Sequence, residues 1–230
     1  MSKLEVIVLN EEDAKIAEGC GADRLELVSA IQEGGLTPDY QVIESVINAV
    51  SIPVQVMLRP HSKSFTYLDS ELSDMIKQVE TFHQIGVQGI VFGALTIDGE
   101  LDKPSLEQIL EAAQGQSVTF HRAIDVSNNP LNLYEELYQS NVKIDRVLTS
   151  GGETGVLEGV MTINEMLKIE KKGGPIIMPG SGLTVENIEE IHEELRAREY
   201  HFGSGVRMDN SYLSGIDPYK MKTVKSIISN

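Results

Sequence analysis

The sequence predicts a closed barrel of eight parallel strands alternating with eight helices, a (β/α)8 TIM-type barrel. Strand-like and helix-like segments alternate eight times, with no linker or shift in composition between halves. The chain has 230 residues, an ordinary length for one such barrel, so residues 1–230 are expected to form a single domain. Several strands also set polar residues opposite their aliphatic ones. An open doubly wound sheet is the alternative, but no GxGxxG follows the first strand.

The elements follow in order. Leu4–Leu9 reads as the first strand, and Asn10 caps a helix with acidic residues in its first turn, ended by Gly21. Asp23–Leu27 is the second strand. Its alternation puts Leu25 and Leu27 on one face, Arg24 and Glu26 on the other. Thr37 is expected to cap the next helix with Pro38 at its first position, and an apolar stripe runs through Val42, Ile43, Val46, Ile47 and Val50. Val54–Leu58 is the third strand, followed by a polar loop and a helix from Asp69 to Ile85. Gln88–Gly93 is the fourth, followed by a helix over 103–114. Ser117–His121 is the fifth, followed by a helix over 130–140. Asp145–Thr149 is the sixth, and the helix after it, within Thr154–Lys172, is expected to break at Gly159. Pro175–Met178 is the seventh, with a helix from Thr184 to Arg198. Tyr200–Phe202 is the eighth, and Asp217-Pro218 caps the last helix.

In a barrel the aliphatic strand faces meet the helices and the polar faces point inward. The inward set comprises Arg24 and Glu26, Gln55 and Arg59, Thr119 and His121, Arg146 and Ser150, and Glu199 and His201. Glu5, Arg24, Arg146 and Glu199 are expected to form an ion-pair layer low in the barrel, since buried charges must be paired.

Composition narrows the function. A formal charge of -16 argues against nucleic acid and anionic membrane surfaces as partners. No apolar run approaches the roughly 18 residues of a membrane span, and the acidic start lacks a signal-peptide core. One cysteine, Cys20, excludes an internal disulfide and fits a reducing compartment, so the expected location is cytoplasmic.

Barrel sites form where strands meet their following loops. Glu26, Arg59, His121, Arg122, Asp125 and Ser150 are expected there. His121 is the residue type that titrates near neutrality, Glu26 can orient it or act as a base, and Arg59 or Arg122 can hold a carboxylate or phosphate. Two late glycine turns, Gly180-Ser181-Gly182 and Gly203-Ser204-Gly205, let backbone amides approach an anion, with Arg207 just beyond. Metal ligands are not marked: Cys20 stands alone, Met57 and Met178 read as core, and the spacing of Glu26, His121 and Asp125 demands no ion.

Glu33-Gly34-Gly35-Leu36-Thr37-Pro38, Arg59-Pro60, Phe120-His121-Arg122-Ala123-Ile124-Asp125 and Leu148-Thr149-Ser150-Gly151, with Arg24-Leu25-Glu26-Leu27, resemble the copper homeostasis protein CutC family. The resemblance spans nearly the whole chain. It implies a single cytoplasmic barrel, a homo-oligomer, and a link to copper, the only cofactor it suggests. The chain departs from the pattern at His61-Ser62-Lys63-Ser64-Phe65, where the family commonly has an arginine and a Gly-Asp-Phe run. It departs again at His201-Phe202-Gly203-Ser204-Gly205, usually closer to His-x-Ser-Ala. Copper binding in some members is assigned to paired cysteines, and this chain has one. Three functions stay open: copper homeostasis, an acid/base enzyme on a small anionic or phosphorylated metabolite, and a non-catalytic binding barrel.

Overall fold

The computed structural model describes residues 1–140 and 142–229. Eight strands alternate with eight helices: β1 Lys3–Val8, α1 Glu11–Gly19, β2 Arg24–Leu27, α2 Tyr40–Ala49, β3 Val54–Met57, α3 Asp69–Gln84, β4 Gly89–Phe92, α4 Lys103–Ala112, β5 Ser117–Phe120, α5 Pro130–Gln139, β6 Arg146–Thr149, α6 Val156–Glu170, β7 Ile176–Pro179, α7 Ile188–Leu195, β8 Glu199–Phe202 and α8 Pro218–Ile228. Every ladder is parallel, in the order β7-β6-β5-β4-β3-β2-β1-β8. A parallel bridge between Gly180 and His201 brings the two outer strands together and closes the (β/α)8 barrel. Among the described residues no helix is long and apolar enough to cross a membrane.

The period of two along each strand sorts its side chains. Leu4, Val6, Leu25, Leu27, Val54, Val56, Ile90, Phe92, Val118, Phe120, Tyr200 and Phe202 join the large core between strands and helices. The opposite face holds a small apolar cluster of Ile7, Val28, Met57 and Val91, with Leu148 and Met178 also turned inward, and is largely polar elsewhere. Arg24 bonds to Glu5 through Nε and to Glu199 through Nη2 (2.5 Å), and Arg146 Nε lies 3.2 Å from Glu199. The expected four-residue ion layer is present. Arg146 Nη1 also donates to Ser117 and Thr119 hydroxyls at 2.7 and 3.1 Å. Gln55 fills the space that Gly89 leaves: a Cβ there would stand 2.1 Å from Gln55 Oε1.

Local starts and stops follow the sequence with three corrections. Asn10 does cap α1, its side chain accepting from the Asp13 amide at 2.9 Å. Thr37 does not cap α2, which begins at Tyr40 after Asp39, so Pro38 is not helical. The Thr37 hydroxyl is taken by Arg59, accepting from its amide at 2.8 Å and donating to its carbonyl at 3.1 Å. Gly159 does not break α6, which runs through it; glycine is needed there because the β6 loop passes close, and a Cβ would lie 1.8 Å from the Ser150 carbonyl oxygen. α7 begins at Ile188, because Asn187 accepts from the Thr184 amide and holds residues 184–187 as a turn.

The ion layer predicts a pronounced defect in Arg24→Met. Glu5 and Glu199 would lose their shared cation while staying buried, at a cost of roughly 3–5 kcal/mol. Urea denaturation at neutral pH measures it, and a loss below about 1 kcal/mol would show the layer to be dispensable. Gly159→Ala should lose roughly 1–3 kcal/mol by the same assay, since backbone must move to admit the methyl.

Candidate functional site

The strand ends open into a cavity of about 280 Å³ at the C-terminal mouth. Its wall includes Glu26 from β2, Arg59 after β3, His121 and Arg122 after β5, Ser181 and Gly182 after β7, and His201, Gly203, Ser204 and Gly205 from β8 and its loop. Nine residues expected at the site thus share one cavity. Gly180, Asp125, Ser150 and Arg207 do not line it.

Those four have structural partners. The Asp125 carboxylate accepts from Arg122 Nε at 2.7 Å, from the Thr149 and Ser150 hydroxyls at 2.5 and 3.0 Å, and from the Ser150 and Gly152 amides at 3.0 and 3.2 Å. It ties the β5 loop to the β6 loop and has no capacity left for a ligand. Ser150 is buried and spent on that knot. Arg207 is buried against Asp13, Nη2 bonding at 2.5 Å, and donates to the carbonyls of Ser214 and Ile7. A Cβ on Gly180 would lie 2.5 Å from Leu148, so this glycine serves packing.

The cavity wall itself is under-satisfied. Glu26 Oε1, His121 Nε2 and Arg59 Nε are buried without a hydrogen-bond partner. Buried polar atoms are rarely left so, and clusters of them mark a place for a ligand or water. His121 was expected to titrate near neutrality, but burial pushes its pKa down to about 3, and the Arg59 charge adds to the effect. The ring is therefore neutral. Its Nδ1 accepts from the Ala123 amide at 3.2 Å, which puts the proton on Nε2, a buried donor without a partner on a ring that lines the cavity.

Glu26 behaves oppositely. Burial pushes its carboxyl up to about 7; His201 pulls it down and Glu5 pushes it further up. His201 Nδ1 bonds to Glu5 Oε1 at 2.8 Å, and its Nε2 lies 3.8 Å from Glu26 Oε2. Burial alone would lower the His201 pKa, but Glu26 and Glu5 outweigh it and favour imidazolium. Burial would likewise raise Glu5, yet Arg24 and His201 hold it well below the carboxylate range. The result is a charged Glu5–His201 pair beside a carboxyl whose proton is exchangeable at physiological pH.

Arg59 is 7% exposed. Its Nη1 makes only long contacts, 3.3 to 3.4 Å, to the carbonyls of Glu33, Gly34 and Gly35, and Nη2 reaches Ser62 at 3.5 Å. Its guanidinium lies over the Phe65 ring at 4.5 Å, and the His121 ring meets the same phenyl edge-on at 4.9 Å. Phe65 therefore packs against both.

Sequence reasoning did not select His201, Tyr212 or Phe65 for the site. His201 was legible, two residues from Glu199 on the inward face. Tyr212 and Phe65 come from loops, where no periodicity marks direction. Tyr212 changes the second glycine turn: a Cβ on Gly203 would lie 2.0 Å from its hydroxyl oxygen. Gly205 is required for another reason, since its Cβ would stand 1.9 Å from the Leu183 carbonyl oxygen.

Sulfur is scarce. Among the described residues Met57 is the one sulfur side chain lining the cavity; Met178 Sδ accepts from Arg24, and Cys20 ends α1. Donors from Glu5, Glu26 and His201 lie within 4.8 Å of one another. Glu5, however, is committed to Arg24 and His201. Cu(I) favours thiolate and thioether ligands, so these residues do not fit it.

Fold and cavity together define a (β/α)8 barrel with a polar, partly charged site at the C-terminal mouth of its strands. The chain belongs to the CutC family, whose family model matches residues 2–206. A CutC family protein of Enterobacter sp. (strain 638) is 39% identical over 205 residues, which span 89% of this chain and 81% of that protein. The crystal structure from Streptococcus agalactiae that carries the name copper homeostasis protein CutC superposes with a TM-score of 0.81 at 28% identity, covering 88% of this chain and 98% of that one. Phosphoribosylanthranilate isomerase of Thermotoga maritima superposes with a TM-score of 0.66 at 13% identity, covering 100% and 99%, a likeness of fold alone.

The raised Glu26 pKa predicts a stability profile. The folded protein keeps a proton that the unfolded chain releases above 4.5, the ordinary value for the group. That stabilising contribution is full below 4.5 and is lost as pH rises through about 7. Glu26→Gln mimics the protonated side chain, so its melting temperature should gain on wild type between pH 5 and 8. A difference that stays constant or shrinks would contradict the assignment.

Proposed function

We propose that this chain is an enzyme that moves a proton on a small anionic metabolite, with Glu26 as the acid/base group. The observation that carries the reading is the Glu26 carboxyl: buried, facing the cavity with an unpartnered oxygen, and poised at about 7 beside the Glu5–His201 pair. A general base is most effective when its pKa lies near the working pH.

The surrounding groups have complementary roles. When Glu26 takes a proton from a carbon next to a carbonyl, the C–H electron pair moves toward that carbonyl and charge grows on its oxygen. The neutral His121 Nε2–H is a fixed donor suited to meeting that charge, and a donor of this kind stabilises the transition state without reorganising. Arg59 answers the anion of the substrate. Arg122, held by Asp125, stands at the rim, with the Ser181 and Gly182 backbone beside it. Imidazolium at His201 steadies the Glu26 carboxylate. A cytoplasmic location belongs to the same reading.

The name of the Streptococcus relative raises copper handling as a second reading for this chain. The donor set favours the first, because the cavity offers one thioether and no thiolate. A purely binding barrel has no use for a carboxyl tuned to neutrality.

Deuterium exchange into small carbonyl compounds tests the proposal. Pyruvate, glycolaldehyde and dihydroxyacetone phosphate in deuterium oxide, followed by proton NMR, are suitable probes. At least one should exchange with wild type, with a rate that rises with pH and levels off above about 7. Glu26→Gln should slow it by roughly 10²–10⁴-fold. Exchange no faster than with Glu26→Gln for every probe would sink the enzyme reading. An anaerobic competition titration with Cu(I) should find no site tighter than about micromolar, and a tighter one would turn the reading toward copper.

A further inference from the structure

The proposed reaction leaves the anion of the substrate undefined. It could be a phosphate on the glycine turns or a carboxylate on the arginine wall, and the two walls differ in what they still offer. At the β8 turn the Tyr212 hydroxyl lies against Gly203, 2.0 Å from where a Cβ on that glycine would stand, and takes the space an anion would need. The Tyr212 ring is held from behind by the Arg207 guanidinium, 5.1 Å from its centroid. Arg207 is itself committed to Asp13. The seat is filled by the chain.

The other wall has unspent donors. Arg59 Nε and His121 Nε2 are both buried, both donors, and both without a partner. Phe65 packs against the two side chains and fixes them in one arrangement. Two fixed N–H donors match the two coplanar oxygens of a carboxylate better than the three oxygens of a phosphate.

Charge points the same way. Of the cations lining the cavity, Arg122 is paired with Asp125 and His201 with Glu5. Arg59 contacts only carbonyl oxygens and the Phe65 ring, and a buried charge without a counter-ion is costly. One unanswered positive charge calls for one negative charge. A phosphate ester would bring up to two beside Glu26.

We propose that the cavity takes a small monocarboxylate, its carboxylate seated on Arg59 Nε and His121 Nε2, and that Tyr212 closes the glycine turn to phosphate. This rests on the acid/base reading for what happens next, but the seat is testable without any reaction.

Calorimetric titration of the full chain with pyruvate, glycolate and inorganic phosphate is the test. At least one carboxylate should bind with a dissociation constant of about millimolar or tighter, and phosphate at least about tenfold more weakly. Arg59→Lys keeps the charge but loses the fork, and should weaken the carboxylate by about tenfold or more. His121→Phe removes the second donor in a similar volume and should weaken it too, so the seat stays testable if one variant fails to fold. Glu26→Gln should retain carboxylate binding while abolishing exchange, which separates this seat from the acid/base assignment. The inference is overturned if no carboxylate binds at about 10 mM, if phosphate binds more tightly and is lost in Gly182→Val, or if the folded Arg59 and His121 variants bind as wild type does.

Discussion

Glu5 is the constraint on which the rest of this barrel depends. It sits fully buried on β1, bonded on one side to Arg24 and on the other to His201. Taking a carboxylate out of water is expensive, and only this double pairing makes it tolerable. Through Arg24 it joins the ion layer with Glu199 and Arg146, which fills the lower barrel where most such folds stack aliphatic side chains. Through His201 it reaches the cavity. The same carboxylate therefore fixes the scaffold and sets the charge state next to Glu26. Exchanging it for an apolar residue would disturb both at once.

The pairing also explains why two buried acids on neighbouring strands behave differently. Glu5 on β1 and Glu26 on the adjoining β2 face the same interior. Glu5 has a guanidinium in contact and stays ionised. Glu26 has only His201 at 3.8 Å, too far for a hydrogen bond, and an oxygen with no partner. Desolvation then dominates and its proton is retained toward neutrality. Environment, rather than residue type, divides the labour, in the way that paired carboxyls in acid/base sites are commonly divided.

Much of this was legible in the sequence because period-two alternation reports direction. Arg24 and Glu26 opposite Leu25 and Leu27, and Glu199 opposite Tyr200, gave the ion layer and the wall that Glu26 occupies. What alternation cannot report is who partners whom. Asp125 and Arg122 stand three residues apart after one strand and looked like two site residues. In the fold the carboxylate is consumed by the β6 loop, and Arg122 is held by it. Arg207 read as a rim cation, yet Asp13, almost two hundred residues earlier, takes it into the protein. His121 read as a titrating base until burial and Arg59 fixed it neutral. The glycines misled in a different way: Gly205 and Gly159 are glycines because another backbone passes within touching distance, which no local pattern reveals. Thr37 is the converse, a helix-cap signature diverted to hold Arg59.

These diversions share a direction. Asp125 locks two loops, Arg207 and Tyr212 lock a third, and Thr37 anchors the backbone of Arg59 from both sides. Each removes a polar group from availability and makes the mouth more rigid. Against that background, three unpartnered atoms on one wall cannot be put down to a loosely built region, because the residues carrying them are among the most constrained in the chain. The chain could have satisfied these atoms itself, by a serine in place of Gly34 or a carboxylate in place of Phe65. Leaving them unmet costs stability, and preorganised donors of this kind gain value only when a ligand completes them. The rigidity of the mouth and the incompleteness of its wall are two sides of one design, in which the chain holds the donors still and the ligand supplies the missing acceptor.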